Sequence, residues 1–150
     1  MTRTTARRLA LQLSFADSAG SDVGPEGFFE DEYFHALPPE DSLFSEMPDD
    51  AQKEYICALV SGIRDHRDEL DDIISRFSQR WKISRISRTA VAVLRCALYE
   101  ILYMTDIPDA AAINEAVELA KQFDPPETVS FINGILGSFM RSRNSEVEQK

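Results

Sequence analysis

Two cysteines, one tryptophan, two histidines and six glycines among 150 residues leave several chemistries without their material. Cys57 and Cys96 each lie inside a helical apolar pattern, with no CxxC and no clustered histidine. That spacing argues against a disulfide framework or a metal site and fits buried thiols in a reducing compartment. The glycines are scattered, so no Gly-rich loop is available to cradle phosphates. No GxSxG surrounds any serine, and His35 and His66 fall in or beside acidic helical segments, which suits solvated side chains better than a general base. The run Asp65, Asp68, Glu69, Asp71, Asp72 reads as a solvated helix face rather than a cation site. No apolar stretch approaches the roughly 20 residues that span a bilayer. The start, MTRTTARRLALQL, holds no signal-peptide core. The expectation is a cytoplasmic protein with no membrane contact, no cofactor, no metal and no catalytic set.

What is present is helical. At 150 residues the chain is about one domain with a real core, and its 43% hydrophobic and 28% charged content is ordinary for a globular protein. Nothing alternates with period two over a useful length, and apolar residues recur at i, i+3 and i+4 instead. A first amphipathic helix is expected over 3–17 and a short second one over Phe28–Leu37, closed by Pro38-Pro39. A third starts at Asp49 or Asp50 and hands over to a fourth around His66 to Asp68. Ile86 to Met104 is the clearest helix, then Ala111 to Phe123 with Pro108 suited to a first turn, then Glu127 to Arg141 after Pro125-Pro126. The fold class is all-α, about seven helices in two packed helical subdomains, with 38–49 as the seam. Residues 1–142 make one helical domain and 143–150 a frayed tail.

Charge is uneven along this chain. The net charge is −10, which argues against indiscriminate RNA binding. Residues 1–16 nevertheless carry Arg3, Arg7 and Arg8 and no acid, while 17–50 carry eleven acids and no Lys or Arg. Residues 73–99 carry Arg76, Arg80, Lys82, Arg85, Arg88 and Arg95 and no acid. A ligand feels the field within a Debye length, roughly 8–10 Å, so both basic segments remain compatible with an anionic partner. Arg3 and Arg7 share a helix face with Arg8 to one side, and Gln12 lies further along where it could reach a base edge. The segment SRFSQRWKISRISR is open to three readings: an RNA platform, a protein-docking surface or a solvated connector. Glu100, Glu115 and Glu118 are expected to bond helix ends and neighbouring turns, and Asn114 and Asn133 to hydrogen-bond between packed helices. Gly134 and Gly137 are expected to let helices approach closely.

Several elements in order resemble the NusB family of bacterial transcription antitermination factors. They are AR-x-x-ALQ at Ala6 to Gln12, LVSGIRDHRDELDDII at Leu59 to Ile74, Trp81, and LRCALYEILY at Leu94 to Tyr103. DIP at Asp106 to Pro108, INEAVELAKQF at Ile113 to Phe123 and FINGIL at Phe131 to Leu136 follow. The resemblance implies an all-α fold, no enzymatic activity, and pairing with NusE, a small-subunit ribosomal protein. It further implies that the pair binds boxA RNA and helps RNA polymerase read through terminators, chiefly on ribosomal RNA operons. By the same resemblance Arg3, Arg7 and Arg8 face RNA, as do Glu127 and Phe131 at the start of the last helix. Trp81, Lys82, Arg85, Arg88 and Ala90 fall on the NusE-facing region. Two departures stand out. Thr4 and Thr5 occupy positions where relatives carry further basic residues, so RNA affinity of the chain alone is expected to be weak. Ala90 and Val91 replace an acid–base pair, so the NusE contact is expected to be modified. The alternatives are a domain related to ribosomal RNA cytosine methyltransferases, for which no cofactor-binding strand–glycine-loop–helix is present, and a homodimer that covers its RNA surface.

Overall fold

The structure, a computed structural model, describes residues 3–18, 49–78 and 87–148; for residues 3, 5, 15–18 and 145–148 only the backbone is described. Six helices occur among them: α1 Arg3–Ser18, α2 Asp50–Asp65, α3 Arg67–Phe77, α4 Arg88–Tyr103, α5 Asp109–Phe123 and α6 Pro126–Glu148. No strand occurs among the described residues. The helix expected over Phe28–Leu37, and the loop that follows it up to residue 48, lie outside the described residues.

Local chemistry accounts for the helix ends. Asp49 Oδ1 accepts from the Gln52 amide at 2.8 Å, and Gln52 Oε1 accepts from the Asp49 amide at 3.0 Å. This reciprocal pair satisfies two backbone donors at the start of α2. Ser87, extended at φ −67° and ψ 153°, caps α4 by accepting from the Ala90 amide at 3.0 Å. Acids sit in the first turns of α2, α3, α5 and α6 and bases in the last turns of α2, α3 and α5, where each complements the helix dipole. α5 starts at Asp109, two residues earlier than the sequence pattern gives, because Pro108 stands just outside as its cap residue. α6 begins on Pro126 itself, whose missing amide costs nothing at a first helical position. It also runs past Arg141 to Glu148, since SRNSEVE contains neither Gly nor Pro to end it.

The chain forms two compact units, Met1–Asp65 and His66–Lys150. The division falls at the α2–α3 handover rather than at 38–49. In the first unit α1 packs on α2, burying Leu9 and Leu13 on one side and Ile56, Leu59, Val60 and Ile63 on the other. In the second unit α4 touches α3, α5 and α6. Its Leu94, Leu98 and Ile101 are buried, as are Leu70, Ile73 and Ile74 of α3 and Phe131, Ile132, Ile135, Leu136 and Phe139 of α6. Ala112, Ala116 and Ala120 give α5 a buried small-residue face. Cys57 is half-buried and Cys96 buried, both as free thiols.

Polar ties join α3 to α4. Arg95 grips Asp71 with two bonds of 2.7 and 2.9 Å. The Tyr103 hydroxyl donates to Glu69 Oε2 at 2.6 Å. That hydrogen bond, with some desolvation and the negative charge of Glu69, holds the Tyr103 pKa above its ordinary value.

Two outcomes follow. Gly134 is exposed within α6, and a Cβ built there meets nothing within 4 Å, so no close helix approach depends on it. Gly134→Ala is expected to raise stability by about 0.5–1 kcal/mol in urea unfolding. Glu69→Gln is expected to lower the Tyr103 pKa, because the carboxylate that favours the neutral phenol is gone; an alkaline NMR titration of the tyrosine rings checks it.

Candidate nucleic-acid interface

α1 presents little to solvent. From Ala6 to Ser14 every side chain is buried except Arg8 and Gln12, which are half-buried. Thr4 is exposed one turn before Arg8, so Thr4, Arg8 and Gln12 form one stripe at i, i+4 spacing. The sequence pattern instead pairs Arg7 with Arg3. Arg7 is 5% exposed and engaged by other groups, as a buried guanidinium must be. The Arg3 side chain lies outside the described residues. Within α1, then, Arg8 is the more accessible of these two guanidinium groups. Gln12 Oε1 is covered and accepts no hydrogen bond from any described residue.

The second unit brings two expected edges to one corner. Arg88 is exposed at the first residue of α4 and Glu127 is exposed in the first turn of α6. The Ser87 hydroxyl, which caps α4, also donates to Asp124 Oδ1 at 2.8 Å, two residues before α6 begins. One hydroxyl thus ties the start of α4 to the α5–α6 turn. The sequence pattern starts this helix at Ile86, which would place Ser87 within its first turn; Ser87 is instead the cap and α4 begins at Arg88. Asp124, 37 residues away, gave no local signal.

Two residues expected at these edges are buried. Phe131 is 3% exposed and belongs to the core of the second unit, so its ring offers no face for a base to stack on. Ala90 is 0% exposed under the Ser87 cap, so its methyl packs within the unit. Trp81, Lys82 and Arg85 lie outside the described residues.

Ion pairs further narrow the basic surface. Arg95 is held by Asp71, and Arg76 lies 2.9 Å from Asp72, so acids just outside the basic run neutralise two of its members. Arg88 has no acidic partner among the described residues. Lys121 pairs with Glu118 at 2.8 Å. Glu100 is buried and engaged, in keeping with a structural role. Asn114 and Asn133 do not bridge packed helices. Both are exposed and line an open groove of about 420 Å³ between α5 and α6, together with Ile113, Val117, Val129 and Ser130. Among the described residues no three His, Cys, Asp or Glu side chains are placed to hold a metal ion.

Burial separates the two arginines experimentally. Arg7→Ala is expected to cost about 1–3 kcal/mol of stability, since it strips a buried, engaged charged group from its partners. Arg8→Ala should cost about 0.5 kcal/mol or less. Guanidinium chloride unfolding of both variants gives the comparison.

The model of the NusB family matches residues 4–141. Transcription antitermination protein NusB of Bacillus subtilis (strain 168) is 37% identical over 151 residues, covering 99% of this chain and 99% of that one. Among solved structures, T. maritima NusB matches with a TM-score of 0.65 at 28% identity, over 92% of this chain and 90% of that one. A chain from the crystal structure of antitermination factors NusB and NusE in complex with dsRNA gives 0.67 at 20% identity, a likeness of fold over 93% and 96% of the two chains. With a family match along nearly its whole length and a relative aligned end to end, this chain belongs to the NusB family.

Proposed function

We propose that this protein is an RNA-binding transcription antitermination factor. It pairs with NusE, the small-subunit ribosomal protein, binds boxA RNA, and promotes read-through within the RNA polymerase antitermination complex, mainly on ribosomal RNA operons. The observation that carries this reading is the family match from 4 to 141, with a relative named for transcription antitermination aligned over 99% of both chains. A chain of the same fold occurs with NusE and dsRNA, which supports the choice of partners. The reading is of a non-enzymatic adaptor in the cytoplasm. No helix among the described residues is long and apolar enough to cross a membrane.

The division of labour follows from exposure and charge. Arg8 supplies a cation to a phosphate, and Gln12 on the same stripe supplies an amide suited to a base edge. Glu127 repels phosphate, so its part is to accept from a base amino group at the start of α6. Arg88 at the start of α4 faces the protein partner. With a net charge of −10, RNA affinity resides in a small local patch and is weak until NusE adds its own contacts.

Mixing the protein with its own NusE and a boxA RNA is expected to give a ternary complex tighter than either binary one. Arg8→Ala should weaken RNA binding by the pair about three- to tenfold and reduce the salt slope by about 1. Absence of a ternary complex at moderate salt would sink the reading. Solution mass with and without NusE distinguishes a homodimer that covers the RNA surface from the active pair.

A further inference from the structure

The end of α4 carries an exposed aromatic cluster that the antitermination reading does not use. The His66 ring stacks on Tyr103, with centroids 4.4 Å apart and planes 28° from parallel. Tyr99 lies 5.1 Å from Tyr103 and 5.9 Å from His66. Glu69 closes one side, with Oε2 accepting the Tyr103 hydroxyl at 2.6 Å and lying 3.2 Å from His66 Nδ1. Both contacts fall on Oε2, and among the described residues Oε1 takes no hydrogen bond. None of this is sealed in: Tyr103 is 43% exposed, and His66 and Glu69 are similarly open.

The surrounding charge is predominantly negative. Asp68 and Asp72 are exposed on the same helix as Glu69, though Asp72 also holds Arg76. Tyr103 is the last residue of α4, so the negative end of that helix dipole points here. Arg143 already donates to the Ile101 carbonyl at 3.4 Å, which shows a guanidinium accommodated at this helix end. Arg67, half-buried beside His66, is the other nearby base.

We propose that His66, Glu69, Tyr99 and Tyr103 form a docking site for an arginine side chain of a protein partner. Electron-rich rings attract a cation over their faces, and a planar guanidinium stacks on them better than an ammonium does. Glu69 Oε1 supplies the acceptor for one arm of the guanidinium fork. The same carboxylates repel a phosphate backbone, so the site selects a basic protein segment over RNA. It stands independently of the boxA reading.

The test titrates the full chain with an acetylated hexa-arginine amide, following the Tyr99, Tyr103 and His66 ring resonances by NMR. Saturable shifts at these rings are expected, with hexa-lysine of equal charge binding about threefold more weakly. Tyr103→Leu and Glu69→Gln should each weaken hexa-arginine binding about threefold or more, with far-UV circular dichroism unchanged. Asp109→Asn removes the same charge from the start of α5 and should leave the ring shifts intact. The proposal is overturned if no ring shifts occur, if shifts are confined to the acidic 17–50 segment, or if Asp109→Asn weakens binding as much as Glu69→Gln. Should Tyr103→Leu unfold, Tyr103→Phe with Glu69→Gln keeps the rings, removes the hydroxyl and the carboxylate charge, and is expected to show the same loss.

Discussion

The second unit depends on the burial of α4. Ala90, Ala92, Val93, Leu94, Cys96, Ala97, Leu98, Glu100 and Ile101 are all covered, so this helix is enclosed around most of its circumference. A narrow stripe through Arg88, Val91, Arg95, Tyr99 and Tyr103 stays partly open, and α3, α5 and α6 each pack against the rest. Each fully buried Leu or Ile contributes about 1.5–3 kcal/mol, against about 1 kcal/mol or less for a surface ion pair such as Arg76–Asp72. Apolar burial therefore sets where α4 lies, and the polar contacts only adjust its ends.

Those ends are where the long-range polar contacts gather. Ser87 at one end links α4 to the α5–α6 turn, and Tyr103 at the other bonds Glu69 across to α3. With the helix middle occupied by packing, its termini are the places where polar groups remain accessible. The first unit follows the same logic on a smaller scale. α1 is covered so completely that Arg8 and Gln12 are its only partly open side chains between Ala6 and Ser14.

Much of the fold was legible before any coordinates. The stripe Leu70, Ile73, Ile74 and the set Phe131, Ile132, Ile135, Leu136, Phe139 are buried as their spacing predicts. The candidate interface was less legible. Arginine at position 7 and arginine at position 8 look alike in sequence, and only one helix face separates a buried guanidinium from an accessible one. Phe131, which the family resemblance puts beside RNA, lies in the core of the second unit at helical spacing. Asn114 and Asn133 were assigned to the interior because they sit among apolar residues, yet they fall on the outer side of α5 and α6.

The sequence by itself determined the described helices, the cap of α2 and the identity of the apolar faces. These are set by neighbours within four residues, as in the Asp49–Gln52 cap. Tertiary structure alone decided the long-range polar pairs and which polar groups face outward. Arg95 meets Asp71 across 24 residues, Tyr103 meets Glu69 across 34, and Ser87 meets Asp124 across 37. Such pairs form because apolar packing brings distant helix turns together, and no local pattern records which turns those will be.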